Sequence, residues 1–276
     1  SGYGVFYNKD VFAENDLKEP STLTELINVC ETLLSNGIQP FATPFAETWA
    51  FRYYPRVITD ISCLKADNNW NADKMSGASN FSDDEVFKNS IETYFSFKKY
   101  WGDDPWGTSW DDAQSMVANG EAAMCIHGSW AVDGFISHNP VVNVGVFPMP
   151  ISEKPEDSIM IKEPGQQLVL NNDQDDARLD AAYKLYNTIY SPECMAAYAE
   201  EAHQMPSVAG DYNMLPALKT IFEYPAEKSF VEAGIPTMTT EYEDVYLETL
   251  TNHSMGDTFD MESFCADLDA VFSAIR

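Results

Sequence analysis

The chain opens on Gly2-Tyr3-Gly4-Val5-Phe6-Tyr7-Asn8-Lys9-Asp10-Val11-Phe12, passes through a short acidic spacer, and resumes at Pro20-Ser21-Thr22-Leu23-Thr24-Glu25-Leu26. The apolar run at the front predicts an extended, buried segment followed by a turn. After Pro20 the signal changes period. Thr22 and Glu25 have the spacing of a capping box. Leu23, Leu26, Ile27, Cys30, Leu33 and Leu34 then recur as one face of a helix, which Gly37 ends. A strand, a turn and an amphipathic helix in that order are the opening of an α/β domain.

The same alternation continues along the chain. Ser82 and Glu85 open a second helix with Phe87, Ile91, Tyr94 and Phe95 on one side, and Ser109 with Asp112 opens a third that runs to Gly120. Ala122 to Ile126 is apolar without period, which predicts a buried strand, and Ser129 is placed as an N-cap with Trp130 at the first helical position. Val141 to Phe147 and Leu168 to Leu170 are read as further strands. Helices are expected from about Asp175 to Tyr190, restarting at Ser191-Pro192, and again near 240–252 and 258–275. Segments 60–82, 150–165 and 224–239 are read as surface loops. Strands alternating with helices predict an α/β fold with a mostly parallel sheet.

Size and composition fit one large or two smaller globular domains: 276 residues, 45% hydrophobic and 13% aromatic. Forty-four acidic residues against 16 basic ones give a formal net charge of −28. Such a chain repels nucleic acid and anionic lipid, so neither is an electrostatic partner. The acidic residues are dispersed and read as solvated surface. Five cysteines, Cys30, Cys63, Cys125, Cys194 and Cys265, are too far apart for a CxxC and too odd in number for a complete set of disulfides. They read as small core side chains.

The sequence carries no catalytic signature. HExxH, GxSxG, GxGxxG and the phosphate-binding loop are all absent. His127, His138, His203 and His253 are isolated in sequence and read as structural or surface residues. Carboxylates are plentiful enough for a glycosidase pair, but nothing local selects one. Trp130 is the most suggestive single residue. It follows a buried strand and starts a helix, and ligands of open α/β sheets bind at that edge. An indole offers a flat apolar face and one N–H donor, which match the C–H face and the hydroxyl rim of a sugar. The other reading of Trp130 is a core side chain packed behind the strand.

Three stretches carry a family resemblance. The first is Tyr7-Asn8-Lys9-Asp10-Val11-Phe12 with Lys18-Glu19-Pro20-Ser21-Thr22-Leu23-Thr24-Glu25-Leu26. The second is Met116-Val117-Ala118-Asn119-Gly120-Glu121-Ala122-Ala123-Met124 with Gly128-Ser129-Trp130. The third is Gly165-Gln166-Gln167-Leu168-Val169-Leu170 with Tyr190-Ser191-Pro192-Glu193. Together they resemble the family 1 extracellular solute-binding proteins, in which the first stretch sits at roughly the end of the first third of the chain.

The resemblance implies a periplasmic-binding-protein-like fold of type II, with a C-terminal lobe and an incomplete N-terminal lobe. Residues 1–164 and 213–276 would form the C-terminal lobe, and residues 165–212 the returning segment of the other. It further implies the binding component of an ABC importer, located outside the cytoplasm as a periplasmic protein or a cell-surface lipoprotein. Such a protein holds a carbohydrate in an interlobe cleft without catalysis or cofactor, then docks on a membrane permease. Trp130, Glu47, Trp49, Gln166, Gln167 and Tyr242 are the cleft residues it points to. Glu47 would accept sugar hydroxyls or cap the next helix; Tyr53 and Tyr54 would pack. With part of one lobe missing, sugar binding is expected to be weak or lost, and 165–212 to expose apolar surface or pair with a second copy. A glycan hydrolase with a carboxylate pair and a non-transport sensor of the same fold are the alternatives.

Overall fold

The computed structural model describes residues 1–276 apart from 166, 233, 234 and 257, and apart from the side chains of Asp60 and Ile61. Among the described residues, six strands form one sheet: β1 (Gly2–Asn8), β2 (Gln39–Phe41), β3 (Ala122–Gly128), β4 (Val144–Phe147), β5 (Met160–Lys162) and β6 (Ser229–Val231). The order is β2-β3-β1-β5-β6, with β4 also pairing with β1. The first helices are α1 (Lys9–Glu14), α2 (Leu23–Ser35), α3 (Thr48–Phe51), α4 (Tyr53–Pro55), α5 (Ile61–Ala66), α6 (Trp70–Ser76) and α7 (Glu85–Ser96). They are followed by α8 (Trp110–Ala118), α9 (Ala131–His138), α10 (Asp176–Ile189), α11 (Pro192–Glu200), α12 (Pro216–Phe222), α13 (Thr240–Met255) and α14 (Met261–Ala274). A π-helical turn over Arg56–Asp60 joins α4 to α5.

The opening stretch becomes the middle of the sheet. Every residue of β1 is buried, and successive side chains go to opposite faces. Tyr3, Val5 and Tyr7 join the core that α2, α7, α13 and α14 complete, while Phe6 joins the core built with α8, α9 and α12. Asn8 ends the strand because its side chain turns the chain into α1: Oδ1 accepts from the Asp10 and Val11 amides, and Nδ2 donates to the Val117 carbonyl at 3.0 Å. That last bond ties the first resemblance stretch to the second. The expected capping box is present at Thr22 and Glu25, as is the one at Ser109 and Asp112.

The sheet is not mostly parallel. β1 runs antiparallel to β3, β4 and β5, while β2·β3 and β5·β6 are parallel. Alternation of strands and helices fixes direction only for neighbours joined by a crossover. Here β1 is inserted between strands that are remote in sequence. Gly4 permits that insertion, since a Cβ there would stand 2.8 Å from the Phe147 carbonyl oxygen.

Other expectations shift locally. Segment 60–82 holds α5 and α6, both too short to show a stripe. Segments 150–165 and 224–239 each contribute a three-residue strand, β5 and β6. Leu168–Leu170 forms no strand, and Val169 is 87% exposed. Ser129 does not cap a helix: its hydroxyl accepts from the Gly2 amide, and Trp130 is the cap residue of α9. In segment 165–212, α10 has no buried residue, and α11 packs Met195 and Ala199 in a small cluster with Tyr212. All five cysteines are free thiols, and four are buried. Among the described residues, no helix is long and apolar enough to cross a membrane.

Candidate functional site

The C-terminal end of β3 delivers His127 and Gly128 to the sheet edge, and Trp130 follows at the cap of α9. Gly128 is glycine for a steric reason. A Cβ there would meet Trp130 ring atoms at 2.3–2.6 Å, so the bare backbone is the seat of the indole. Tyr3, Tyr53 and His127 surround that indole edge-on, at centroid distances of 5.5, 5.2 and 5.4 Å. Tyr3 and Tyr53 stack on each other at 5.3 Å. His127 stacks on Trp110 at 4.0 Å, and Trp49 stands edge-on to both Trp110 and His127 at 5.6 and 5.7 Å. Trp49 is 43% exposed and Trp130 half-buried, so the group presents ring surface to solvent as well as to the core. Edge-to-face contacts of this kind hold rings more rigidly than area burial alone.

Glu47 sets the position of two of these rings. One carboxylate oxygen accepts the Trp49 indole N–H at 2.5 Å, and the other accepts the Trp110 amide at 3.2 Å. A carboxylate at the first turn of α8 is stabilised by the exposed amides there. The structure therefore brings Trp130, Trp49 and Glu47 together. Tyr242 stands elsewhere, its hydroxyl donating to the Met75 carbonyl at 3.1 Å and its ring against Phe272 at 5.0 Å. Gln167 is exposed, and Gln166 lies outside the described residues.

Sequence reading named neither Tyr3 nor Trp110 for the site, and took Tyr53 as a packing residue and His127 as a structural or surface one. His127 is fully buried, and both ring nitrogens lack a partner among the described residues. Burial lowers its pKa to about 3, so the ring is neutral at neutral pH. The other three histidines bond carboxylates: His138 with Asp111, His203 with Asp133 and His253 with Asp267.

Behind the rings lies a charged layer. The Arg56 guanidinium lies over the Tyr3 face, 5.1 Å from its centroid. It pairs with Glu163 at 3.0 Å and also with Glu232. Tyr3 donates its hydroxyl to Glu163. Burial and the neighbouring Glu232 push the Glu163 carboxyl up to about 7. Folded Glu163 thus keeps a proton that the unfolded chain releases between its ordinary 4.5 and about 7. The stability this adds is complete below that window and is lost as pH rises through it. Urea midpoints at pH ~5 and ~8 are expected to differ less in Glu163→Gln than in the parent chain; equal differences would refute the assignment. Among the described residues, no group of three His, Cys, Asp or Glu side chains is placed to hold a metal ion.

The rings gathered at the end of β3 form a candidate binding site. The family model for bacterial extracellular solute-binding proteins matches residues 1–196, and the chain belongs to that family. Its members are extracytoplasmic binding proteins. The multiple sugar-binding protein of Streptococcus mutans is 29% identical over 154 residues, covering 53% of this chain and 36% of that protein. The chain spans about a third of the length of the curated relatives it matches, 33% and 36%. Among solved structures, a sugar transporter of Bacillus licheniformis in complex with stachyose superposes with a TM-score of 0.79 at 16% identity, covering 100% of this chain and 72% of that one. A chitin oligosaccharide binding protein gives 0.79 at 16% identity, covering 99% and 69%. At such identity these likenesses establish the fold: α/β, of the periplasmic-binding-protein kind.

Proposed function

We propose that this chain is the binding component of an ABC sugar importer and holds an oligosaccharide without transforming it. The observation that carries this reading is the seating of Trp130 on Gly128, ringed edge-on by Tyr3, Tyr53 and His127, with Trp49 exposed beside it. Fixed indole faces stack on the C–H faces of sugar rings, and Glu47 supplies the acceptor such platforms need for hydroxyls. The relatives' names, a multiple sugar-binding protein and a protein bound to stachyose, support the same ligand class. In this reading residues 1–164 and 213–276 form one lobe and 165–212 belong to the other. Gln166 and Gln167, on the returning segment, complete the cleft when the lobes close, and Tyr242 belongs to the same lobe as the platform. Closure follows from the difference in ligand contact between open and closed states. The closed form docks on the membrane permease, and 165–212, with its exposed α10, is where copies associate.

Calorimetry with raffinose and stachyose tests the platform. Trp130→Ala is expected to weaken binding by about tenfold or more, while Trp130→Phe retains part of it, because an aromatic stacking anchor contributes ~1 kcal/mol beyond its buried area. Unchanged affinity in Trp130→Ala would overturn the reading.

A further inference from the structure

The charged layer meets the ring platform at Tyr3, whose ring is buried. That ring stands edge-on to Trp130, stacks on Tyr53 and lies under the Arg56 guanidinium. Its hydroxyl donates to Oε1 of Glu163. Tyr53 in turn lies 5.2 Å from Trp130 and 4.6 Å from His127, centroid to centroid. Whatever holds the Tyr3 hydroxyl therefore acts on Tyr3 and Tyr53, two of the rings that wall the indole.

The backbone of Glu163 is fixed. Its amide donates to the Ser1 carbonyl, and its carbonyl accepts from the Ser1 amino group, both at 3.1 Å. The carboxyl is the part that changes. Oε2 accepts from Arg56 Nη2 at 3.0 Å, and the same nitrogen also donates to Oε2 of Glu232. Two carboxylates on one guanidinium nitrogen repel each other, and the proton that Glu163 keeps up to about 7 removes one of the charges. Loss of that proton changes the bond from Tyr3, because a hydroxyl is held about twice as strongly by an ionised carboxylate as by a neutral acceptor. The other charged groups nearby are the Ser1 amino group, whose pKa burial lowers from 8.0, and Lys162, whose ammonium donates to the Tyr224 carbonyl at 3.0 Å. Arg52, paired with Glu243 at 3.1 Å, acts with Arg56 on Tyr53. His127, against Trp130, is neutral at every pH at which Glu163 titrates.

We propose that Glu163 is a positioning residue for the platform: ionised, it holds Tyr3 firmly against Trp130, and protonated, it lets that wall slacken, so the ring site is better ordered above neutral pH than below it. Glu163 acts through Tyr3. Its consequence for sugar affinity rests on the platform reading, whereas the coupling of Glu163, Tyr3 and Trp130 is a property of the chain without ligand.

The test is a pH titration of the 276-residue chain without ligand, followed by its indole N–H signals in nitrogen–proton correlation NMR spectra. Trp130 is assigned as the signal missing in Trp130→Phe. It is expected to move with a midpoint of about 7, as Glu163 loses its proton. In Glu163→Gln it stays at its low-pH position throughout. In Tyr3→Phe the ring remains but the hydroxyl is gone, and the movement falls to less than half. Either variant serves if the other does not fold. In a second arm, calorimetry with raffinose is expected to give an affinity about fivefold higher at pH ~8 than at pH ~5 in the parent, and no such difference in Glu163→Gln. If raffinose gives no heat, the indole arm decides alone. A Trp130 signal that stays still between pH ~5 and ~8 overturns the proposal. So does one that moves equally in Glu163→Gln, where the Ser1 amino group or the His203–Asp133 pair would be its source. Full movement in Tyr3→Phe, or a raffinose affinity with the same pH dependence in Glu163→Gln as in the parent, overturns it too.

Discussion

Replacing Asp84 by alanine is expected to destabilise the chain by ~3–5 kcal/mol, because it leaves a charge buried without its counterion. That charge is Lys74, which is 0% exposed. Its ammonium lies 3.0 Å from Asp84 Oδ2, donates to the Asn80 carbonyl at 2.6 Å, and sits over the Phe81 and Trp70 rings at 4.9 and 5.7 Å. Asp84 also accepts the Trp70 indole N–H at 2.7 Å and caps α7 by accepting the Phe87 amide at 3.0 Å. Burial alone would raise its pKa. The bonds from Phe87, Trp70 and Lys74 outweigh burial and hold the carboxyl below the usual 3.8. A carboxylate with a lowered folded pKa contributes stability that is whole above the unfolded value and disappears as pH falls through the folded one. Asp84→Ala should therefore lose most of its penalty relative to the parent in strong acid. Asp84→Asn keeps the cap and loses the charge, so urea titration of both variants separates the two contributions. A loss below ~1 kcal/mol in Asp84→Ala would mean that Lys74 finds another partner or water.

Lys74 also shows where sequence reading reached its limit. Segment 60–82 reads as loop because its polar residues outnumber its apolar ones and its two helices are too short for a stripe to register. What orders it is one buried cation with aromatic walls, a tertiary arrangement with no sequence period. The long amphipathic helices were legible for the opposite reason: the caps at Thr22 and Ser109 are local, and the stripes repeat several times. The candidate site divides the same way. Gly128-Ser129-Trp130 is contiguous, and the position of Trp130 at a strand end could be read directly. Tyr3, Tyr53, Trp110 and His127 come from four separate elements, and only the pairing of β1 with β3 brings Tyr3 opposite Gly128. The direction of that pairing was beyond reach, because a strand inserted between remote neighbours leaves no mark on helix–strand alternation. Glu47 had two readings, hydroxyl acceptor or helix cap. The structure has it hold Trp49 and the first amide of α8 together.

Phe45→Ala is expected to cost a similar ~3–5 kcal/mol, the range for truncating a buried phenylalanine, and its effect should reach the platform. Phe45 is buried where four rings converge: Tyr54 at 4.9 Å, Phe51 at 5.0 Å, and Trp101 and Trp106 at 5.1 Å each. Its amide bonds to the Thr43 and Pro105 carbonyls at 2.9 and 3.1 Å, so its backbone is held from two sides. Two residues on, Glu47 grips Trp49 and Trp110. Tyr54, which Phe45 supports edge-on, donates to the Ala42 carbonyl at 2.6 Å and accepts the Ile126 amide at 3.4 Å, next to His127 on β3. The vacated ring volume loosens both routes to the site. Phe45→Leu keeps much of the volume and should lose only part of the stability. The two consequences are separable. Urea titration reads the packing, and calorimetry with raffinose, at a temperature where the variant is still folded, reads the platform. If Phe45→Ala loses stability as expected yet binds as tightly as the parent, the Glu47–Trp49–Trp110 arrangement holds itself in place, and the ring core supports only the fold.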